Sequence, residues 1–565
     1  MKKARKILLV IVMVFVALQV AGITLSFFLR RIKPNTVLTM RMAGEIPEQP
    51  TQDTLRELVA GPEISVTDIV EGLDRARSDP RISGVELRIT ESDMNMGKIQ
   101  ELREKIREFN RAGKFSVAYL EFATNRSYYL ASACQTVVLL PSSMLYVRGL
   151  MASTTFYRGA LDKLGVVADL YHVGEYKNAI NVYTEKKFTP AHREVTQALI
   201  DDWYQEYIRG VAEARGLTPQ GAQKAIESGP LNAEEALQAK LVDRVAYWDE
   251  MRELVRHKNQ GSDNRLNVRA YLSRTSRDTR SQLAVIYATG EILPGLSGTT
   301  PFGEEVVGSE TIAEQFRRVR EDESVKAVVL RIDSPGGAAL AAEVIRHEVE
   351  LTKREKPVVV SMSDVAASGG YWIAMSANRI VAEPGTLTGS IGVYTGKFNI
   401  LGLYEKLGLT KDFVQTSENS TLEYPFQNYT PAQRASVQKY MRDTYTRFLA
   451  GVAEGRHMKV QDVDKIAQGR VWTGERARQL GLVDEMGGLH TALLAARRLA
   501  RIPAEQTLSL IYLPPRRTLL DRILDLMGGA EVGGATVSPR AWLRSMESLA
   551  SYPVWAILPG VPEVQ

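Results

Sequence analysis

The chain has 565 residues, 44% hydrophobic and 24% charged, with 71 Lys and Arg against 66 Asp and Glu for a net charge of +5. This is the mixture of an ordinary folded protein of about three or four domains. It excludes a disordered chain, a collagen and a polytopic membrane protein, and one cysteine, Cys134, excludes a disulfide scaffold.

The first element is an apolar run, Ile7 to Leu29, without a charged residue. At about 1.5 Å per residue a helix of this length spans a hydrocarbon core of about 30 Å. Lys2, Lys3, Arg5 and Lys6 precede the run, and Arg30, Arg31 and Lys33 follow it. Residues 1–33 thus hold seven basic and no acidic side chains, and the rest holds 71 − 7 = 64 basic against 66 acidic, or −2. The excess charge belongs to a membrane anchor, so a nucleic-acid-binding body loses its support. A cleaved signal peptide is the rival reading. The run is longer than an h-region of about 7–15 residues, and no A-x-A site follows. Basic flanks place the N-terminus on the cytoplasmic side and the body outside.

Beyond the anchor the sequence repeats itself. GVELRI at 84–89 returns as AVVLRI at 327–332, an offset of 243, and Tyr128, Pro141 and Gly149 match Tyr371, Pro384 and Gly392. Later the offset is 241: TPAHRE at 189–194 matches TPAQRA at 430–435, and Leu241-Val242-Asp243 matches Leu482-Val483-Asp484. The predicted organisation is an anchor (1–35), an N-terminal repeat (36–255), a polar linker (256–282), a C-terminal repeat (283–514) and a tail without a readable motif (515–565). Within each repeat, β-branched runs such as AVVLRI (327–332), PVVVSM (357–362) and RIVAEP (379–384) read as buried strands. A helical pattern over 340–355 lies between two of them. The expectation is an α/β fold of right-handed βαβ crossovers on a largely parallel sheet.

Chemistry is sought where the copies differ. The C-terminal copy carries Asp333-Ser334-Pro335-Gly336-Gly337, then Ala366-Ala367-Ser368-Gly369-Gly370, then Thr388-Gly389-Ser390-Ile391-Gly392. The N-terminal counterparts lack the small residues; Asn125 stands opposite Ser368 and Val147 opposite Ser390. Each loop alone reads as a turn. Together they fit acyl transfer, with a serine on a tight strand-to-helix turn and glycines that let backbone N–H groups approach an oxyanion. None of the six histidines (172, 192, 257, 347, 457, 490) falls in these loops. Lys177, in Gly174-Glu175-Tyr176-Lys177-Asn178-Ala179, has no lysine near its C-terminal equivalent, Thr416 to Ser420; read alone it is a surface lysine.

These three loops, in this order and spacing, with the Gly-Glu-Tyr-Lys-Asn-Ala segment, resemble signal peptide peptidase A (protease IV) in its long tandem-repeat bacterial form. The resemblance covers the anchor, both repeats and the linker. It implies a tandem duplication of a Clp-protease/crotonase-like βαβ unit behind one transmembrane helix, anchored in the bacterial cytoplasmic membrane with the catalytic body outside. By position it implies Ser368 as nucleophile, Lys177 as general base, Ser390 orienting the lysine, and the N–H groups of Gly337 (or Gly336) and Gly369 as oxyanion hole. It further implies a homotetramer that degrades remnant signal peptides and other hydrophobic peptides. No cofactor is expected, and no His/Asp/Glu cluster has metal-ligand spacing. Two other functions remain open at this point: a crotonase-like acyl-CoA enzyme, which would need a carboxylate base, and a non-enzymatic membrane scaffold.

Overall fold

Strands that are apolar along their whole length must be covered on both faces, and parallel sheets flanked by helices provide that cover. The runs found in the sequence form two such sheets in the computed structural model, which describes residues 31–49, 64–275, 282–300, 304–506, 508–514, 555–557 and 563–564. The apolar run of the expected anchor lies outside the described residues; among the described residues no helix is long and apolar enough to cross a membrane.

In the N-terminal copy the elements used below are β1 (Thr36–Gly44), β2 (Ile82–Ser92), α1 (Met96–Arg111), β3 (Phe115–Leu120), α2 (Asn125–Ala131), β4 (Thr136–Leu139), β5 (Val167–Val173), α3 (Pro190–Arg215), β6 (Arg244–Val245) and β7 (Arg265–Asn267). Six of these strands form one sheet in the order β6-β4-β3-β2-β1-β7, parallel throughout. The C-terminal copy contributes β8 (Gln282–Thr289), β9 (Glu291–Leu293), β10 (Val325–Ser334), β11 (Gly336–Ala338), β12 (Val358–Ala367), α4 (Gly369–Ala374), β13 (Arg379–Ala382), β14 (Leu387–Gly389), β15 (Val393–Asn399), α5 (Pro431–Arg456), β16 (Val471–Thr473), α6 (Leu489–Leu499) and β17 (Ser509–Leu513). Its sheet runs β16-β14-β12-β10-β8-β17, with β13 against β12. Every residue of β12 is buried.

The repeat is visible as repeated bonds. Tyr128 donates its hydroxyl to the Leu241 carbonyl at 2.8 Å, and Tyr371 donates to Leu482 at 2.9 Å. Asp243 accepts the Val137 N–H and pairs with Arg215; Asp484 accepts the Ile380 N–H and pairs with Arg456. The repeated Leu-Val-Asp therefore anchors the returning chain to the sheet in both copies. Each copy's longest helix, α3 or α5, opens with a threonine N-cap (Thr189, Thr430) and proline in the first turn, which satisfies end donors and pre-sets φ.

The stretch 256–282, expected as a linker, is structured through Arg274. β7 pairs parallel with β1, just as β17 pairs with β8 in the other copy, and a helix over Val268–Arg274 packs beneath it. The turn-rich residues 259–264 are the turn into the last strand of the repeat, so the polar composition marks a turn and not a boundary.

A third sheet mixes the two copies. β5 of the N-terminal copy pairs antiparallel with β15 of the C-terminal copy, from Val173↔Val393 to Val167↔Asn399. Side chains of α3 (Val195, Leu199, Trp203) form one apolar cluster with Val365, Ala367, Leu387 and Val471. The site lies at this junction.

Candidate active site

β12 delivers Ser368. The strand ends at Ala367, and α4 begins at Gly369 with Ser368 as its N-cap residue. Its backbone is at φ 55°, ψ −112°, a region sparsely populated by residues with a Cβ that costs on the order of 1–3 kcal/mol. The turn is held by neighbours: the Ser368 N–H donates to the Gly389 carbonyl at 2.8 Å, and the Ser368 carbonyl accepts the Trp372 N–H at 2.8 Å. Ser390, between β14 and β15, also has positive φ, 49°, and its N–H donates to Arg470 at 2.8 Å.

β5 delivers Lys177 from the other copy. After Val173 the chain turns at Gly174, φ +106°, where a Cβ would lie 2.4 Å from the Gln468 carbonyl carbon. The Tyr176 N–H donates to the Gln468 carbonyl at 2.8 Å. Gly469, φ +74°, packs directly on the lysine, and a Cβ there would lie 2.5 Å from Lys177 Cβ. Both glycines are required by close approach as well as by φ.

The lysine amine lies 2.7 Å from Ser368 Oγ and 3.0 Å from Ser390 Oγ, and donates to the Ser390 carbonyl at 3.2 Å. Lys177, Ser368 and Ser390 have no exposed surface. Burial holds the amine's pKa well below its ordinary value, because a low-dielectric site disfavours the charged form and no carboxylate opposes the shift. A neutral amine fits these contacts: two N–H groups for the two Ser390 oxygens, and a lone pair for the Ser368 hydroxyl. None of the six histidines contacts this trio.

Of the glycines, Gly337 packs on β9, where a Cβ would lie 2.0 Å from the Ile292 carbonyl oxygen. The Gly336 N–H is already donated to Ser334 Oγ at 3.1 Å. Gly369 is the first residue of α4, where a backbone N–H has no partner within the helix. In the N-terminal copy the equivalent turn is filled instead: Asn125 Oδ1 accepts the Arg148 N–H at 2.9 Å, and Val147 is buried.

Behind these loops lies a buried ionic network that sequence reasoning missed. Arg331 on β10 has no exposed surface and pairs with Glu48 (2.8 Å) and Glu101 (2.7 Å) of the N-terminal copy. Lys98 on α1 pairs with Asp333 at 2.8 Å, at the start of the glycine loop, while Asp364 on β12 accepts the Lys98 N–H at 2.9 Å. Burial would raise the Glu48 carboxyl, but the Arg331 and Lys98 charges outweigh it and hold the pKa low. For Asp364, burial prevails and pushes it up to about 6. A signal was present: an arginine inside an otherwise apolar buried strand requires a partner, although nothing in the sequence names Glu48 or Glu101.

Comparison with known proteins decides the family. The model of peptidase family S49 matches the chain twice, over residues 108–261 and 350–503. This chain belongs to peptidase family S49. Protease 4 of Salmonella typhi is 36% identical over 487 residues, covering 83% of this chain and 77% of that protein. The chloroplastic serine protease SPPA of Arabidopsis thaliana is 34% identical over 517 residues, 89% of this chain and 75% of that protein. Protease 4 of Haemophilus influenzae is 33% identical over 470 residues, 79% of this chain and 75% of that protein. A solved structure of a ClpP1 mutant from Listeria monocytogenes overlaps 38% of the S49 chain at 16% identity, with a TM-score of 0.25. The S49 match at both repeats makes the protein a serine peptidase with a tandem α/β architecture.

Proposed function

We propose that this S49 peptidase hydrolyses peptide bonds with a Ser368–Lys177 dyad assembled from its two copies. The observation that carries the reading is the 2.7 Å contact between Ser368 Oγ and the buried amine of Lys177. Neutral Lys177 takes the Ser368 hydroxyl proton as Oγ attacks the scissile carbonyl. The tetrahedral oxyanion is received by the N–H groups of Gly337 and Gly369, each worth about 2.7–4 kcal/mol in such a role. Gly336 serves less well in this role, since its N–H is engaged by Ser334. The lysine ammonium then protonates the departing amine and leaves an acyl-serine. Water, losing a proton to Lys177, releases the acid and restores the serine. Ser390 accepts from the amine and fixes the direction of its lone pair.

Each copy supplies half of this machinery: the N-terminal repeat the base, the C-terminal repeat the nucleophile and oxyanion loop. Anchoring by residues 7–29 with the body outside the cytoplasmic membrane, a homotetramer, and remnant signal peptides and other hydrophobic peptides as substrates follow from the family resemblance. Ser368→Ala and Lys177→Ala are each expected to lower peptide hydrolysis by about 10⁴-fold or more, and fluorophosphonate labelling is expected to vanish in the serine variant. Near-normal turnover of Lys177→Ala would overturn the dyad.

A further inference from the structure

Glu383 directly follows β13 in the C-terminal copy and is 6% exposed. Its backbone is engaged: the N–H donates to Thr386 Oγ1 at 3.2 Å, and the carbonyl accepts the Thr386 N–H at 3.1 Å. Its carboxyl has no hydrogen bond or ion pair among the described residues. A buried glutamate without a partner is rare, because removing an unpaired carboxyl from water costs free energy. In the N-terminal copy, at the offset of 243, the counterpart is Leu140, ahead of the matching Pro141. The unpaired carboxyl is thus a departure of one copy from the shared scaffold, as the serines of the candidate site are.

Glu383 lines a cavity of about 440 Å³, the size of a site for a small organic molecule. α1 and α3 of the N-terminal copy form one side of it, and residues 383–384 and 486–488 with the start of α6 form the other. Arg209 and Glu213 on its rim are exposed, so the cavity reaches solvent. Every other glutamate on the walls is ion-paired, from Glu101 with Arg331 to Glu213 with Arg107. The basic side chains are thereby taken, and Arg103 is held by Ser132 Oγ and the Gly210 carbonyl. Glu383 is left as the carboxyl that lacks a cation. Pro384 and Met486 add apolar surface to the same walls. A metal ion is a poor fit, since it needs several converging ligands. The described residues bring three such groups together at Asp74, Glu108 and His490, and there the Lys105 amine already lies 2.9 Å from Glu108.

We propose that this cavity binds a small organic cation, through an aliphatic ammonium or guanidinium group seated on Glu383. Neither Ser368 nor Lys177 lines it, so the site does not depend on their roles. Binding exchanges a proton for the ligand: the Glu383 carboxylic acid releases H⁺ as the cation pairs with the carboxylate. Burial first, and then the Glu101 charge, push the Glu383 pKa well above its ordinary value, against Arg331 and Lys105. Affinity therefore falls as pH drops through that pKa. The other titratable groups on the walls are Glu104 and Glu108 on α1, the Glu206–Arg209 pair on α3, and His490 on α6, whose pKa burial lowers. A ligand held here contacts both copies and binds the folded chain alone, so it raises Tm.

The test uses the full chain and 1,4-diaminobutane at about 0.15 M salt, which screens exposed carboxylates. Calorimetric titration at pH 7.5 is expected to show binding to the native protein. Binding to Glu383→Gln is expected to be about ten- to hundredfold weaker, the worth of one hydrogen bond to a charged group. Between pH 7.5 and 5.5 the affinity is expected to fall more in the native protein than in Glu383→Gln, which keeps His490 and the paired glutamates. Glu383→Leu introduces the residue of the other copy. It is expected to melt cooperatively and to lose the rise in Tm with the diamine, which keeps the test open if the glutamine variant does not fold. Nα-acetyl-lysine amide carries the same ammonium on a peptide unit. Its binding extends the site to basic side chains of peptides, and its failure beside a binding diamine assigns the site to free amines. No binding of either compound to the native protein, or equal affinity in the native protein and a folded Glu383 variant, overturns the proposal.

Discussion

Ser368 Oγ and Lys177 Nζ, 191 residues apart in the chain, lie 2.7 Å apart in a site with no exposed surface. Because burial alone lowers the lysine pKa, the amine is free to act as a base well below its ordinary value of about 10.4. In the proposed dyad the active form is the deprotonated one. Hence kcat/KM is expected to rise with pH through the lowered lysine pKa and then level off. A pH profile of kcat/KM from 5 to 10 checks this. An acid limb centred near 10 would show that the amine titrates like an exposed lysine and would remove the basis for its role.

The same burial has a cost in stability. Below about 10.4 the unfolded chain carries Lys177 protonated, whereas the folded chain keeps it neutral down to the lowered pKa. The unfolded state then binds more protons, so stability from this group rises with pH across that window. Lys177→Met keeps the length and removes the amine. It is expected to abolish hydrolysis while raising Tm at pH 7, with the gain shrinking as the pH approaches 10. Thermal melts of both proteins at pH 7 and 9.5 measure this; a lower Tm for the variant at pH 7 would contradict it.

Much of the candidate site was legible in the sequence because duplication supplies an internal reference. Ser368, Ser390 and the glycine loops stood out against Asn125, Val147 and the glycine-free counterpart at 90–94. The positions of the strands followed from their apolar runs. What the sequence hid is what long-range pairing decides. β5 crosses to β15 of the other copy, and no local pattern announces that partner. Lys177 reads as a surface residue until Gln468 and Gly469 close over it. Arg331, Lys98 and their carboxylates are polar residues inside the core, where pattern reasoning expects none, and the tail strand, Trp555–Ile557, is three residues long.

Gly337 offers a steric test of the oxyanion loop. A Cβ there would lie 2.0 Å from the Ile292 carbonyl oxygen, backbone that pairing with the neighbouring strand holds in place. Gly337→Ala must therefore shift β11 away from its position. Loss of one oxyanion donor corresponds to about 10²–10³ in kcat, and overpacking adds about 1–3 kcal/mol of destabilisation. Gly149→Ala is the control, since no atom lies within 4 Å of its Cβ position; it is expected to leave both quantities unchanged. Equal activity of the two variants would remove Gly337 from the site.

Ser390 acts on the amine through two contacts, its hydroxyl at 3.0 Å and its carbonyl at 3.2 Å. Ser390→Ala removes only the first. The expected loss is about tenfold in kcat, the worth of one net hydrogen bond of about 1.4 kcal/mol, with KM little changed, because in the proposed dyad the hydroxyl orients the base and not the substrate. Steady-state kinetics separate the two parameters. A rise in KM at constant kcat would instead assign Ser390 to substrate binding.

Arg331 ties the copies together through charge. It donates to Glu48 and Glu101 of the N-terminal copy and to Ser361 and Ser363 of its own, so its removal strands two buried carboxylates. Breaking a buried pair in this way costs about 3–5 kcal/mol, and Arg331→Leu is expected to lose that much by chemical denaturation at pH 7.5. The pH dependence follows from Glu48. In the native protein Arg331 and Lys98 hold Glu48 low against its burial. Without Arg331 burial gains on the remaining charge, and the folded pKa of Glu48 rises above its unfolded value. A group shifted upward stabilises below its unfolded pKa and loses that contribution as pH rises through the folded one. The deficit of Arg331→Leu is therefore expected to be largest at pH 7.5 and smaller at pH 5. A deficit that grows toward pH 5 would mean that Glu48 is not the group whose charge Arg331 offsets.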